Sequence, residues 1–107
     1  MDSNPRLVRK YANRRLYDTM QSRYVNLHDV RDLILSGQYV KVEDQSTKAD
    51  ITNNVLMQII GGQETSSGPL LSADILTNLI RASANNNDPT LAVRLQHACR
   101  SVLKNTY

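Results

Sequence analysis

The stretch "RLVRKYANRRLYDTMQSRYVNL", residues 6–27, decides the fold. It contains three short runs of apolar, aromatic and charged residues, separated by two turn-like breaks. "RLVRKY" reads as an exposed or edge strand. "ANR" reads as a turn, with Asn13 the residue that best tolerates positive φ. "RLYD" is a second strand, "TMQS" a second turn and "RYVNL" a third strand. Three short strands form a β-meander, which needs a helix on one face to be stable. Asn26 is a good N-cap, and Asp29 stands three positions on in capping-box fashion. Leu27, Val30, Leu33 and Ile34 then recur at helical spacing, and Gly37 supplies a left-handed C-cap, so residues 27–36 read as a helix.

Further along, residues 38–44, "QYVKVED", set Tyr39, Lys41 and Glu43 against Val40 and Val42, the alternation of a half-buried strand. Thr52 or Asn53 caps a second helix carrying Val55, Leu56, Ile59 and Ile60, which stops at Gly61–Gly62. "GGQETSSGP", residues 61–69, has the composition of a linker. Beyond it, Ser72 caps a helix bearing Ile75, Leu76, Leu79 and Ile80. A polar loop, "ASANNND", follows. Asp88 then caps a last helix, with Pro89 at its first position. Leu91, Leu95, Ala98 and Val102 share one face of that helix. The expectation is an α+β fold. A small N-terminal β-meander has two covering helices and one further strand, and a C-terminal helical hairpin follows. The domains are 1–62, a linker over 63–69, and 70–107.

Composition narrows the function. The chain has 107 residues, one cysteine (Cys99) and only 5% aromatic residues, all tyrosine. No intramolecular disulfide is possible, and a single thiol fits a reducing compartment. The N-terminal residues have no apolar run after their basic positions and do not read as a secretory signal, and no apolar run approaches the roughly 20 residues of a membrane span. A cytoplasmic protein is expected. The net charge of +3 is unevenly placed: residues 1–24 hold six Lys/Arg against two Asp/Glu, and the remainder seven against eight. A cationic end joined to a neutral body suggests a polyanion-binding segment. Composition alone leaves a solvated basic segment equally open.

Enzyme chemistry finds little support, and no catalytic residue, metal site or cofactor is expected. His28 and Asp32, one helical turn apart, fit a solvated helix face far better than a metal site. His97 and Cys99 point to different faces of their helix. No nucleophile elbow, phosphate-binding loop or Cys-x-x-Cys is present. The basic segment is the better candidate. Strand alternation places Leu7, Arg9 and Tyr11 on one face and Arg6, Val8 and Lys10 on the other. Arg14 and Arg15 lie at the turn, where they project furthest toward phosphates or a guanine edge. The candidate DNA contacts are Arg9, Lys10, Tyr11, Asn13, Arg14, Arg15, Tyr17 and Arg23. For the tyrosines a packing role is at least as well supported. Low aromatic content argues against the base-stacking platforms of RNA-binding proteins.

Two short amphipathic helices bury little by themselves. The expected oligomer interface therefore comprises Ile75, Leu76, Leu79, Ile80, Leu91, Leu95 and Val102, in a homodimer or homotetramer. Docking on the first domain is the other reading.

"KYANRRLYDT", residues 10–19, with "YVNLHDVRDLI", "YVKVEDQSTKADIT" and "VLMQII", resembles the polyhydroxyalkanoate synthesis repressor family over residues 6–64. The resemblance implies a cytoplasmic bacterial regulator whose N-terminal domain binds double-stranded DNA near genes for storage-polymer synthesis and phasins. It also implies binding to the polymer or granule surface, which releases the DNA. The motif carries Lys10, Tyr11, Asn13, Arg14, Arg15, Leu16, Tyr17, Asp18 and Thr19. Ala12 stands where the family usually has proline, and many relatives continue into a longer tail. The alternative is a granule-associated or adaptor protein that uses its apolar C-terminal helices.

Overall fold

The computed structural model describes residues 4–84 and 88–104. The chain divides into two compact units, Met1–Leu70 and Leu71–Tyr107. The first holds β1 (Arg6–Lys10), β2 (Leu16–Asp18), β3 (Arg23–Val25), α1 (Leu27–Leu35), β4 (Val40–Asp44), α2 (Thr52–Gly61), β5 (Glu64–Thr65) and β6 (Gly68–Pro69). The second holds α3 (Ala73–Ser83) and α4 (Leu91–Leu103). This is an α+β fold, as the alternation and helical spacing lead one to expect.

The expected meander is present, with β1–β2 and β2–β3 antiparallel. One feature differs. The sequence reads β1 as an edge strand, but the sheet order is β3-β2-β1-β4, and β1 lies inside it. After α1 the chain returns and lays β4 parallel to β1, with Val8 opposite Val42 and Lys10 opposite Asp44. The charges that made β1 look exposed include Arg6, which is buried against Asp18.

One sheet face is packed on the two helices. Val8, Leu16 and Val42 meet Val30 of α1 and Val55 of α2. Burying each such side chain contributes about 1.5–3 kcal/mol. Around this small core lie Val25, Leu27, Val40, Ile51 and Ile59, each partly buried. The α1 start is a full capping box: Asn26 Oδ1 accepts from Asp29 N–H at 2.8 Å, and Asp29 Oδ2 accepts from Asn26 N–H at 2.9 Å. Gly37, at φ +99°, turns the chain out of the helix.

Helix α2 begins differently from the expectation. Neither Thr52 nor Asn53 caps it; Ile51 holds that position without a side-chain bond. The Thr52 hydroxyl is engaged elsewhere, accepting from Val42 N–H at 2.8 Å and donating to Asp50 at 2.6 Å. It ties the helix start to β4. The expected linker is also partly ordered. Residues 64–69 form a β5–β6 hairpin, closed by Thr65 Oγ1 donating to the Gly68 carbonyl and by Gly68 at φ +121°. Gln63, just before it, accepts from Arg31 Nε at 2.9 Å, which fastens the segment to α1.

In the second unit, Ser72 caps α3 through Ile75 N–H, as expected. The α4 start is shifted. Asp88 accepts from both the N–H and hydroxyl of Thr90, an Asx-type turn, and the helix opens at Leu91 with Thr90 at the cap position. The "NNN" of the expected polar loop, residues 85–87, lies outside the described residues.

Candidate nucleic-acid interface

The β1–β2 hairpin closes on a loop of three residues, 12–14. Tyr11 N–H donates to the Arg15 carbonyl at 3.0 Å, and Arg14 N–H donates to the Tyr11 carbonyl at 2.8 Å. The sequence assigns positive φ to Asn13, but Arg14 adopts it, at φ +67°. Asn13 shapes the turn another way: its Oδ1 accepts from Arg15 N–H at 3.0 Å. A left-handed conformation costs a non-glycine residue about 1–2 kcal/mol. The hairpin thus holds a strained arginine at its tip. Among the described residues Arg14 forms no ion pair.

Arg15 is placed by an aromatic neighbour. Its guanidinium carbon stands 3.8 Å from the centre of the Tyr24 ring, a cation–π contact. Tyr24 pairs with Tyr17 across β2 and β3, with ring centroids 5.3 Å apart, and Tyr11 joins both edge-to-face at 5.9 and 6.3 Å. The three rings lie on the sheet face opposite the Val8–Val30–Val55 core. Tyr11 and Tyr17 therefore neither enter the core nor stand as free platforms; they pack on each other. Tyr24 is absent from the sequence-derived site. Its signal was the hairpin register, which sets Tyr17 and Tyr24 opposite each other.

Lys10, Arg14 and Arg15 line an open groove of about 840 Å³ at this end of the sheet, with Leu27 and Val55 among its apolar lining. Arg9 lies on the tyrosine face, 3.8 Å from Glu43 on the neighbouring strand. That partner leaves Arg9 less available than Arg14. Arg23 is not brought to the cluster. Its backbone stands in register with that of Asp18, at the far end of the β2–β3 ladder, and its Nε donates to the Gln21 side chain at 2.8 Å. Arg23 lines a small cleft there together with Asp29 and Asp32.

Asp18 of the motif has a structural role. Arg6 grips it with two hydrogen bonds, Nε to Oδ1 at 3.1 Å and a terminal nitrogen to Oδ2 at 2.8 Å, and both residues are buried. Burial alone pushes the Asp18 carboxyl up. The Arg6 hydrogen bond and the backbone N–H groups of Met20 and Gln21 outweigh it and hold the carboxyl below its ordinary range. Thr19 of the motif likewise serves the fold, its hydroxyl donating to the Leu7 carbonyl at 2.8 Å.

His28 and Asp32 lie 3.5 Å apart on an exposed helix face. In the second unit no residue of α3 or α4 is buried. Of the residues expected at an oligomer interface, Ile75, Leu76, Ile80, Leu95 and Val102 are exposed, and Leu79 and Leu91 are half-buried. Among the described residues no helix is long and apolar enough to cross a membrane.

An uncharacterized protein of Allochromatium vinosum is 45% identical over 94 residues, covering 88% of this chain and 61% of its own length. An "uncharacterized protein in phbA 5'region" of Thiocystis violacea is 46% identical over 79 residues, covering 74% of this chain and 57% of its own length. The chain thus spans about three fifths of the length of these relatives. No solved structure matches. The family described as the PHB/PHA accumulation regulator DNA-binding domain matches residues 7–67, which take in the basic turn, its tyrosines and the Arg6–Asp18 partner strand β2. On that match, the chain belongs to the PHB/PHA accumulation regulator DNA-binding domain family.

Proposed function

We propose that this chain is a transcriptional repressor that binds duplex DNA through the Lys10, Arg14 and Arg15 end of its sheet and controls genes of polyhydroxyalkanoate storage. The observation that carries the reading is the family match over residues 7–67, the segment that holds the strained Arg14, which forms no ion pair among the described residues. A two-stranded ribbon fits the major groove, where an arginine contacts phosphate or forks onto guanine. The relative named for its place in the phbA 5' region supports a link to storage-polymer genes.

The helical unit supplies a second part of the proposal. Two helices of 11 and 13 residues with no buried side chain do not stand alone in water. Pairing with the same unit of another copy covers them, gives a homodimer or homotetramer, and duplicates the basic turn for a site with two-fold symmetry. The same exposed side chains also favour a second reading, contact with an apolar polymer or granule surface.

A gel-shift titration on a duplex selected from a random pool tests the first part. Arg14→Ala with Arg15→Ala is expected to abolish binding while the circular dichroism spectrum and elution volume stay unchanged. Unaltered affinity would sink the assignment. Light scattering tests the second part: a monomer at micromolar concentration leaves the apolar-surface reading in its place.

A further inference from the structure

The parallel pairing of β1 with β4 has a consequence at the basic end of the sheet. The C-terminal residue of β4, Asp44, lies beside Lys10. The loop that leaves β4, residues 45–50, therefore starts at the same sheet end as the 11–15 turn. Gln45 N–H donates to the Lys10 carbonyl at 2.9 Å and joins the two. The loop is tightly built. Asp44 Oδ1 accepts from the N–H groups of Ser46 and Thr47 at 2.9 and 3.0 Å, and Lys48 N–H donates to the Asp44 carbonyl at 2.9 Å.

Within this frame Lys48 stands at φ +65°. The described non-glycine residues with positive φ are Arg14, Ser22 and Lys48. Two of the three are cations, and both belong to loops at one end of the sheet. Neither arginine nor lysine has the short polar side chain that eases this conformation for asparagine or aspartate, and glycine would remove the strain altogether. Lys48 is exposed and forms no ion pair among the described residues. The nearby negative charge of Asp44 is turned into the loop's own N–H groups. A long cation at a glycine-type position, fixed by a bonded loop beside another of the same kind, is a strained feature of the sort that accompanies binding sites.

We infer that Lys48 is a phosphate-contacting residue, so that the protein grips duplex DNA from two loops, 11–15 and 45–50. The inference rests on the DNA reading of the Arg14–Arg15 turn, and the test separates them. Binding of a short random-sequence duplex is followed by fluorescence anisotropy across a range of potassium chloride concentrations. Lys48→Gly is expected to weaken binding and to flatten the plot of log K against log salt by about 0.9 for each protein copy bound. Its melting temperature is not expected to fall, because glycine suits the backbone there. Lys48→Arg is expected to keep the wild-type slope. A Lys48→Gly slope equal to wild type, with the single variants Arg14→Ala and Arg15→Ala each still lowering it, overturns the Lys48 assignment and leaves the turn in place. If the arginine variants bind as wild type does, the turn reading falls, and the two-loop grip falls with it.

Discussion

Replacing Asp18 with alanine isolates what the motif does for folding from what it does for DNA. Arg6 and Asp18 are 5% and 1% exposed, so the substitution leaves a guanidinium buried without its counter-charge. It removes two hydrogen bonds from Arg6 and those from the Met20 and Gln21 N–H groups, leaving on the Arg6 side chain, among the described residues, the bond to Gln38 at 3.0 Å. Breaking one side of a buried pair costs about 3–5 kcal/mol. For a unit of this size each kcal/mol moves the midpoint by about 4–8 °C, so the lower bound is a fall of about 12 °C. The assay is thermal unfolding by circular dichroism on four proteins: wild type, Asp18→Ala, Arg6→Met, and Arg6→Met with Asp18→Leu. The double variant is expected to recover most of the loss, because an apolar pair of similar volume satisfies the site. Its DNA affinity and salt slope should match wild type, since neither residue faces the basic turn. An Asp18→Ala midpoint within about 2 °C of wild type refutes the reasoning, since it would mean that no charge is left stranded.

Three further outcomes follow from the same geometry. Arg14→Gly relieves the positive φ and should raise stability by about 1 kcal/mol while weakening DNA binding, a pairing of opposite effects that calorimetry and anisotropy read separately. Because the Asp18 carboxyl is held below its unfolded value of about 3.9, its contribution is complete above that pH and is lost as pH falls through the folded value. The melting midpoint should therefore drop steeply below about pH 4 in wild type and less steeply in the Arg6→Met, Asp18→Leu variant. Tyr24→Leu takes the platform from beneath Arg15; it should cost DNA affinity severalfold with little change in salt slope, because the cation remains and only its placement is lost.

Much of the site and fold could be read in the chain because the signals are local. Asn26, Asp29 and Gly37 marked α1, since capping bonds span three or four residues. Val40 and Val42 against Lys41 and Glu43 marked β4 for the same reason. The turn that lifts Arg14 and Arg15 to one end of the sheet was legible from "YANRR". Its internal geometry was not: Arg14 rather than Asn13 takes the positive φ, while Asn13 Oδ1 accepts from Arg15 N–H.

Pairing at long range lay outside what the sequence by itself determined. It gave the elements, the α+β class, the cationic end and the apolar stripes of the two C-terminal helices. Tertiary structure alone decided that β4 lies parallel to β1, since nothing within either strand records its neighbour. That one pairing moved β1 inside the sheet, where Arg6 is buried against Asp18 of β2, twelve residues away, an apparent surface cation turned internal. It also set the Lys48 loop beside the Arg14 turn, and Arg23 was left at the far end among acids. Charge is countable from a sequence, but its availability depends on where each counter-charge ends up, and only the folded chain fixes that.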